Sequence, residues 1–267
     1  QEAAMAVELY NKKGHICVAF RDLVTGEAVQ ANQFLIIDGG HAAIIDPGGE
    51  LTYSRLYMAL GNYLNVTGLD YVIASHQDPD IVASINKWLI GTDCKVVVPQ
   101  LWERFIPHLC RSAKVREMEK RLVTIPDQGM ALQIGDSPLV AIPAHYLHSE
   151  GNFQFYDPIS KILFSGDLGA SFVDGEHLNE PVTDFADHVP SMVDFHRRFM
   201  GSNKILRLWV NMVRELDLDW IVPQHGRPFK GKKVIDELFS GLSELECGID
   251  LMTQENYRLP KRRSEWA

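Results

Sequence analysis

The chain reads as an α/β protein whose two sheets carry helices on their outer faces, a four-layer αββα sandwich. Two hairpin signals and one alternation carry that expectation. QFLIID-GGH-AAIID (residues 33–46) sets two apolar runs around a Gly-Gly turn, and NFQFYDPISKILFSGD (152–167) repeats the device around Asp-Pro. Between and after these hairpins, amphipathic helical stripes alternate with short apolar runs, as expected of sheets covered by helices. Periodicity alone also admits a doubly wound sheet.

Taken in order, Leu56, Ala59, Leu60, Tyr63 and Leu64 share one helical face and precede the strand YVIA (71–74). Ile81, Ile85, Trp88 and Leu89 form a second stripe before VVVP (96–99), and Ile205, Leu208, Trp209, Met212, Val213 and Leu216 form a third before DWIVP (219–223). Segment 171–200 is long and polar and contains Pro181 and Pro190. It is expected to be the least regular part, an insertion that covers a site or makes a dimer contact. A last amphipathic helix (Ile235, Leu238, Leu242, Leu245) leads to the short basic tail Pro260-Lys261-Arg262-Arg263, read as a solvated terminus. Without repeats, low-complexity tracts or linkers, residues 1–267 are expected to form a single domain ending in that helix and tail.

Composition narrows the function classes. Lys and Arg total 26 against 35 Asp and Glu, a formal charge of −9, so the surface lacks the basic excess that binding nucleic acid requires. No apolar run reaches the ~18 residues of a membrane span. Cys17, Cys94, Cys110 and Cys247 are dispersed and form no CxxC pair, and the first residues carry no secretory leader pattern. A reduced, cytoplasmic setting is expected.

Chemistry-bearing residues cluster just after predicted strands. YVIA is followed by Ser75-His76-Gln77-Asp78-Pro79-Asp80-Ile81, PLVAIPA by His145-Tyr146-Leu147-His148, KILFSG by Asp167, and WIVP by Gln224-His225-Gly226. Groups at the carboxyl ends of separate strands converge on one crevice. In a turning segment stiffened by Pro79, His76, Asp78 and Asp80 can share a face. The plain alternative is a capped helix start with Asp80 at its N-cap.

These motifs resemble the metallo-β-lactamase superfamily, most closely its diiron branch, the flavodiiron proteins, and within it the single-domain oxygen-binding diiron proteins. The resemblance spans roughly residues 30–230. It rests on Asp46-Pro47-Gly48-Gly49, His76-x-Asp78-x-Asp80, His148-Ser149-Glu150-Gly151, Ser165-Gly166-Asp167 and His225-Gly226, in family order. It implies a metallo-β-lactamase-like αββα sandwich with two metals bridged by Asp167. The first would be held by His76, Asp78 and His148, the second by Asp80 and His225. The implied ions are two irons with an oxo or hydroxo bridge. Three imidazoles and three carboxylates without thiolate suit iron or manganese, with zinc the alternative. Asp78 stands where diiron members carry the longer Glu, and Ile81 where the superfamily has a second-metal His, so the second metal is expected to keep an open position beside Ile81.

Around this set, Asp46 is expected to support ligands by hydrogen bonding. His148 is preferred over His145 because H-x-x-G before the second hairpin fits the family pattern, leaving His145 as a supporting or mouth residue. Tyr146 reads as packing, with a hydrogen bond to a bound ligand as the alternative, and Gly226 as allowing close backbone approach to the site. His15, His41, His108, His177, His188 and His196 carry no ligand spacing and are expected at surface or hydrogen-bonded positions. The implied function is a non-haem diiron protein that binds, senses or reduces O2, or NO. The tail after His225 is far shorter than the roughly 100 residues of a flavodoxin module, so no FMN is expected in this chain. Turnover would need an external electron donor, and sensing a signalling partner; relatives suggest a homodimer. The competing reading is a dinuclear hydrolase of esters, thioesters or phosphodiesters.

Overall fold

The computed structural model describes residues 5–24, 26–110, 115–173, 177 and 180–260. The first sheet runs in chain order: β1 (Met5–Lys12), β2 (His15–Arg21), β3 (Gln33–Asp38), β4 (His41–Ile45), β5 (Tyr71–Ile73), β6 (Lys95–Pro99) and β7 (Leu122–Ile125). Its strands are antiparallel as far as β4 and parallel from β4 to β7. The second sheet contains β8 (Met130–Ile134), β9 (Ser137–Pro143), β10 (Phe153–Asp157), β11 (Ile162–Phe164), β12 (Trp220–Val222) and β13 (Phe229–Lys230), also neighbours in chain order. Both expected hairpins form, pairing β3 with β4 and β10 with β11.

Strand alternation separates three apolar clusters and so creates the four layers. On β3, Leu35 and Ile37 pack outward with Leu56 and Leu60 of helix α1 (Tyr53–Leu60). Phe34 and Ile36 point the other way, into a core between the sheets, where the Phe34 and Phe164 rings lie 4.9 Å apart. The Ile81–Leu89 stripe forms two short helices, α2 (Pro79–Val82) and α3 (Ile85–Gly91), on the same outer face, and α4 (Val115–Arg121) follows. Leu163 and Ile221 on the outer face of the second sheet meet α5 (Phe185–Phe199), α6 (Asn203–Val213) and α7 (Lys232–Glu244).

Several expectations are corrected. The segment thought least regular contains α5, a helix of 15 residues, begun by the Asp184 carboxylate accepting the Asp187 amide. Its buried face is His188, Met192 and His196 at helical spacing, and two polar rings on that face hide it from a count of apolar residues. Pro190 lies inside α5, where it forgoes one backbone hydrogen bond without ending the helix. On α6 the buried face is Leu206, Trp209, Val210 and Val213, while Leu208 is 57% exposed; the apolar stripe is wider than the side that packs. Helix α1 ends before Tyr63 and Leu64, and α7 before Leu245, because those residues continue the packing from irregular backbone. The hairpin of β1 and β2 and the strands β7 and β8 had no clear signal. Lys261–Arg263 of the basic tail lie outside the described residues.

Candidate metal centre

The predicted ligand positions meet at one end of the sandwich. His76 follows β5, Asp78 and Asp80 straddle Pro79 at the start of α2, His148 follows β9, Asp167 follows β11 and His225 follows β12. Asp78, not Asp80, occupies the N-cap position of α2, and its side chain makes no capping bond. A simple capped helix start therefore leaves both carboxylates unexplained. Gly49, in the loop after β4, lies so close to this turn that a Cβ there would stand 3.0 Å from the Pro79 carbonyl.

Asp167 divides the cluster. Its Oδ2 lies 3.1 Å from Nε2 of both His76 and His148, and Asp78 Oδ2 lies 3.6 and 3.2 Å from the same two nitrogens. Its Oδ1 faces the other way, 3.1 Å from His225 Nε2, which is 3.7 Å from Asp80 Oδ2. One carboxylate thus offers one oxygen to a His76–Asp78–His148 group and the other to a His225–Asp80 group. Donor atoms of the first group lie within 4.8 Å of one another.

The imidazoles are oriented from behind. Ser75 donates its backbone N–H and its hydroxyl to the two Asp46 oxygens (2.8 and 3.0 Å), so its hydroxyl oxygen is left to accept from His76 Nδ1 at 2.8 Å. His225 Nδ1 donates to the Gln30 carbonyl at 2.6 Å. Both rings therefore turn Nε2 toward Asp167, the usual arrangement behind a metal-binding histidine. Asn152 holds the loop of His148 by donating to the Leu147 carbonyl.

The donor set fits a pair of cations. Asp167 Oδ2 is buried and has no hydrogen-bond partner, because the nearby imidazole nitrogens approach it outside hydrogen-bond geometry. A buried carboxylate oxygen left in that state is costly, and a cation shared with those nitrogens relieves it. The protonation pattern agrees. Burial opposes charge on His76, yet the Asp167, Asp78 and Asp46 carboxylates together outweigh it and lift the ring well above its ordinary value. Burial likewise disfavours charge on His148 and His225, but Asp167 raises both, His148 to about 9. Burial disfavours charge on Asp167 too, and the three imidazoles win, holding it well below the carboxylate range. Asp78 is lowered against burial by His148 and His76, whereas burial raises Asp80. Asp46, fully enclosed, is pushed up to about 6 by burial.

A cavity of about 770 Å³ opens onto Asp78, Asp80, His148, Asp167 and His225. Its walls are mostly apolar, including Val24, Ala31, Leu51, Ala83, Phe195 and Phe199. The segment after Asp167 does cover the site, since Phe172 and two phenylalanines of α5 form one wall. Three expectations change. Ile81 does not line the cavity: the helical turn begun at Pro79 rotates it away from Asp80 into the core beneath the first sheet's helices. His145 turns aside, Nε2 donating to the Asp127 carbonyl at 2.8 Å, and Tyr146 is half exposed outside the cavity lining. Gly226, at φ +81°, allows close approach to Ser171 of the covering loop, where a Cβ would stand 2.4 Å from the backbone oxygen, and not to the cluster. Sequence reading missed Ser75 and Gln30 as supporting groups. Only Ser75, next to a predicted ligand, carried a local signal.

An αββα sandwich with a His/carboxylate cluster at the strand ends of both sheets defines a protein of the metallo-β-lactamase class. The family model described as ODP family beta lactamase matches residues 29–226, and the chain belongs to that family. A solved structure of the peroxy diiron species of chemotaxis sensor ODP is 38% identical, with a TM-score of 0.82 over 95% of this chain and 99% of the other. The putative diflavin flavoprotein A 4 of Synechocystis sp. is 30% identical over 55% of this chain and 24% of its own length. A flavo di-iron protein variant from Thermotoga maritima shares the fold, at 18% identity and a TM-score of 0.71, over 90% of this chain and 60% of that one. The chain spans half or less of the length of the curated relatives it matches.

Proposed function

We propose that this chain is a non-haem diiron protein that binds O2, in the manner of an oxygen sensor. The division of Asp167 between two histidine–carboxylate groups is the observation that carries this reading. His76, Asp78 and His148 would hold one iron, Asp80 and His225 the other, and Asp167 both. A ferrous pair, when bound, supplies the electrons for O2 binding and reduction. The protein's own part is to fix the donors and exclude water. Asp46 and Ser75 orient His76, the Gln30 carbonyl orients His225, and the apolar walls admit a nonpolar gas more readily than ions. Both groups border the cavity, and the second has fewer protein donors than the first, which favours ligand entry there. NO, a diatomic of similar size, is the competing guest.

The 38% likeness to chemotaxis sensor ODP along nearly all of both chains supports sensing over turnover. Scattered free thiols support a reducing, cytoplasmic setting, and no described helix is long and apolar enough to cross a membrane. A single domain acting as a homodimer, with a signalling partner or an external electron donor, completes the proposal. Pairing of two copies would cover Phe172 and Phe199, which are 62% and 51% exposed at the cavity rim.

The test is optical. Iron(II)-loaded chain, prepared anaerobically, should be nearly colourless and develop a visible charge-transfer band on exposure to O2. A colourless product that hydrolyses ester probes would contradict the proposal.

A further inference from the structure

His196 lies on the buried face of α5, fully enclosed, and both of its ring nitrogens are engaged. Nδ1 donates to the Met192 carbonyl one turn back in the same helix, at 2.8 Å. That fixes the tautomer and leaves Nε2 an acceptor, which receives the backbone N–H of Gly169 at 2.9 Å. Burial keeps the ring neutral by pulling its pKa down to about 4, so the acceptor persists through the physiological range.

Gly169 stands two residues beyond Asp167, in a turn whose first half is tied to the sheet by the Gln224 amide on the Gly166 carbonyl (2.7 Å) and the Gln154 side chain on the Ser165 carbonyl (2.9 Å), while the bonds around Gly169 itself are local. Ser165 donates its hydroxyl to the Leu168 carbonyl at 2.7 Å, and the Ala170 amide donates to the Asp167 carbonyl at 3.0 Å. Gly169 is at φ +91° with Phe229 pressed against it, where a Cβ would stand 3.0 Å from that ring. The turn is therefore packed on one side by Phe229 and tied on another to α5 by His196. Helix α5 also carries Phe195 and Phe199 on the cavity wall, and the Phe199 ring lies 5.9 Å from that of His148.

We propose that His196 is a positioning residue of the metal centre: by accepting the Gly169 amide it fixes the turn that aims the two Asp167 oxygens at the two donor groups. This rests on the reading of the cluster as a two-ion site. An apolar side chain at 196 would leave a buried amide without a partner and release the turn from α5.

Cobalt(II) titrated anaerobically into the metal-free full chain, followed by visible absorption, reports affinity and coordination geometry without oxygen chemistry. His196→Gln can place an acceptor near the position of Nε2, and His196→Leu cannot. Val213→Ala, in the same core on α6, controls for lost packing. His196→Leu should weaken cobalt binding about tenfold or more and change the band shape, as loss of a supporting partner does. His196→Gln should recover most of the affinity and the wild-type band. Val213→Ala should lower Tm with both cobalt ions bound as in the wild type. Wild-type affinity and band shape in His196→Leu would overturn the proposal, as would an equal cobalt loss in Val213→Ala. Uptake of fewer than two cobalt ions by the wild type would instead sink the two-ion reading, and this inference with it.

Discussion

Two histidine–carboxylate clusters join the sheets, one at each end of the sandwich, each with donor atoms close enough to share an ion, and they differ in how far their own hydrogen bonds satisfy them. At the end away from the cavity, His15 at the start of β2 lies between Asp38 (Nδ1–Oδ1, 3.0 Å) and Asp157 (Nε2–Oδ2, 2.7 Å). Asp157 also accepts from the Cys17 thiol at 3.3 Å, from the Ser160 hydroxyl and from the Ile159 amide at 3.1 Å. Every charge there has donors or acceptors of its own, and the cluster closes on itself. At the cavity end, Asp167 is surrounded by three imidazoles, yet one of its oxygens has no hydrogen bond. Similar residues thus make a weld in one place and a receptor in the other. What separates them is whether polar partners satisfy each carboxylate oxygen.

The largest expected effect breaks the weld. Asp157→Ala removes one partner of a buried ion pair and should destabilise the metal-free chain by about 3–5 kcal/mol in denaturant unfolding. Below its unfolding transition, the variant should still load metal. Next comes the support behind a ligand: Ser75→Ala unties His76 from Asp46 and should weaken metal binding roughly 10–100-fold by competition with a chelator, with a smaller loss of about 1–3 kcal/mol in unfolding for the buried Asp46 oxygen left without its hydroxyl partner. The two ends should also differ with pH. His15 is raised and Asp38 and Asp157 lowered, with partner interactions outweighing burial in each case. The weld therefore stabilises from above the ordinary carboxylate range to beyond the ordinary histidine value, and fades as pH rises through the raised His15 titration. At the cavity end the raised histidines hold protons that a cation must displace, so metal affinity should climb about tenfold per pH unit for each proton released, through pH 7 to 9, in a chelator-competition series. The smallest effect is expected of His145→Ala, which should leave metal content unchanged, because its Nε2 is spent on the Asp127 carbonyl.

How far the sequence reveals these two regions follows from their chemistry. The cavity-end donors follow strands at short, rigid spacings, so His76, Asp78, Asp80, His148, Asp167 and His225 could be read from local motifs. Both hairpins were legible for the same reason, since Gly-Gly and Asp-Pro turns lie between apolar runs. His15 and Asp157 sit 142 positions apart, and their bond exists only once β2 and β10 face each other. His196 was illegible because a polar ring on a buried helix face imitates a surface residue. Ile81 misled in the opposite sense. Its place in the motif points to the metal position, while the helical turn started by Pro79 carries it into the core.

The central claim is that Asp167 serves two ions at once, and iron counting in two proteins tests it most directly. Wild-type chain loaded with iron(II) under anaerobic conditions and freed of excess metal should retain two irons per chain, and Asp167→Asn should retain almost none. Two irons in the variant, or a single iron in the wild type, would contradict it.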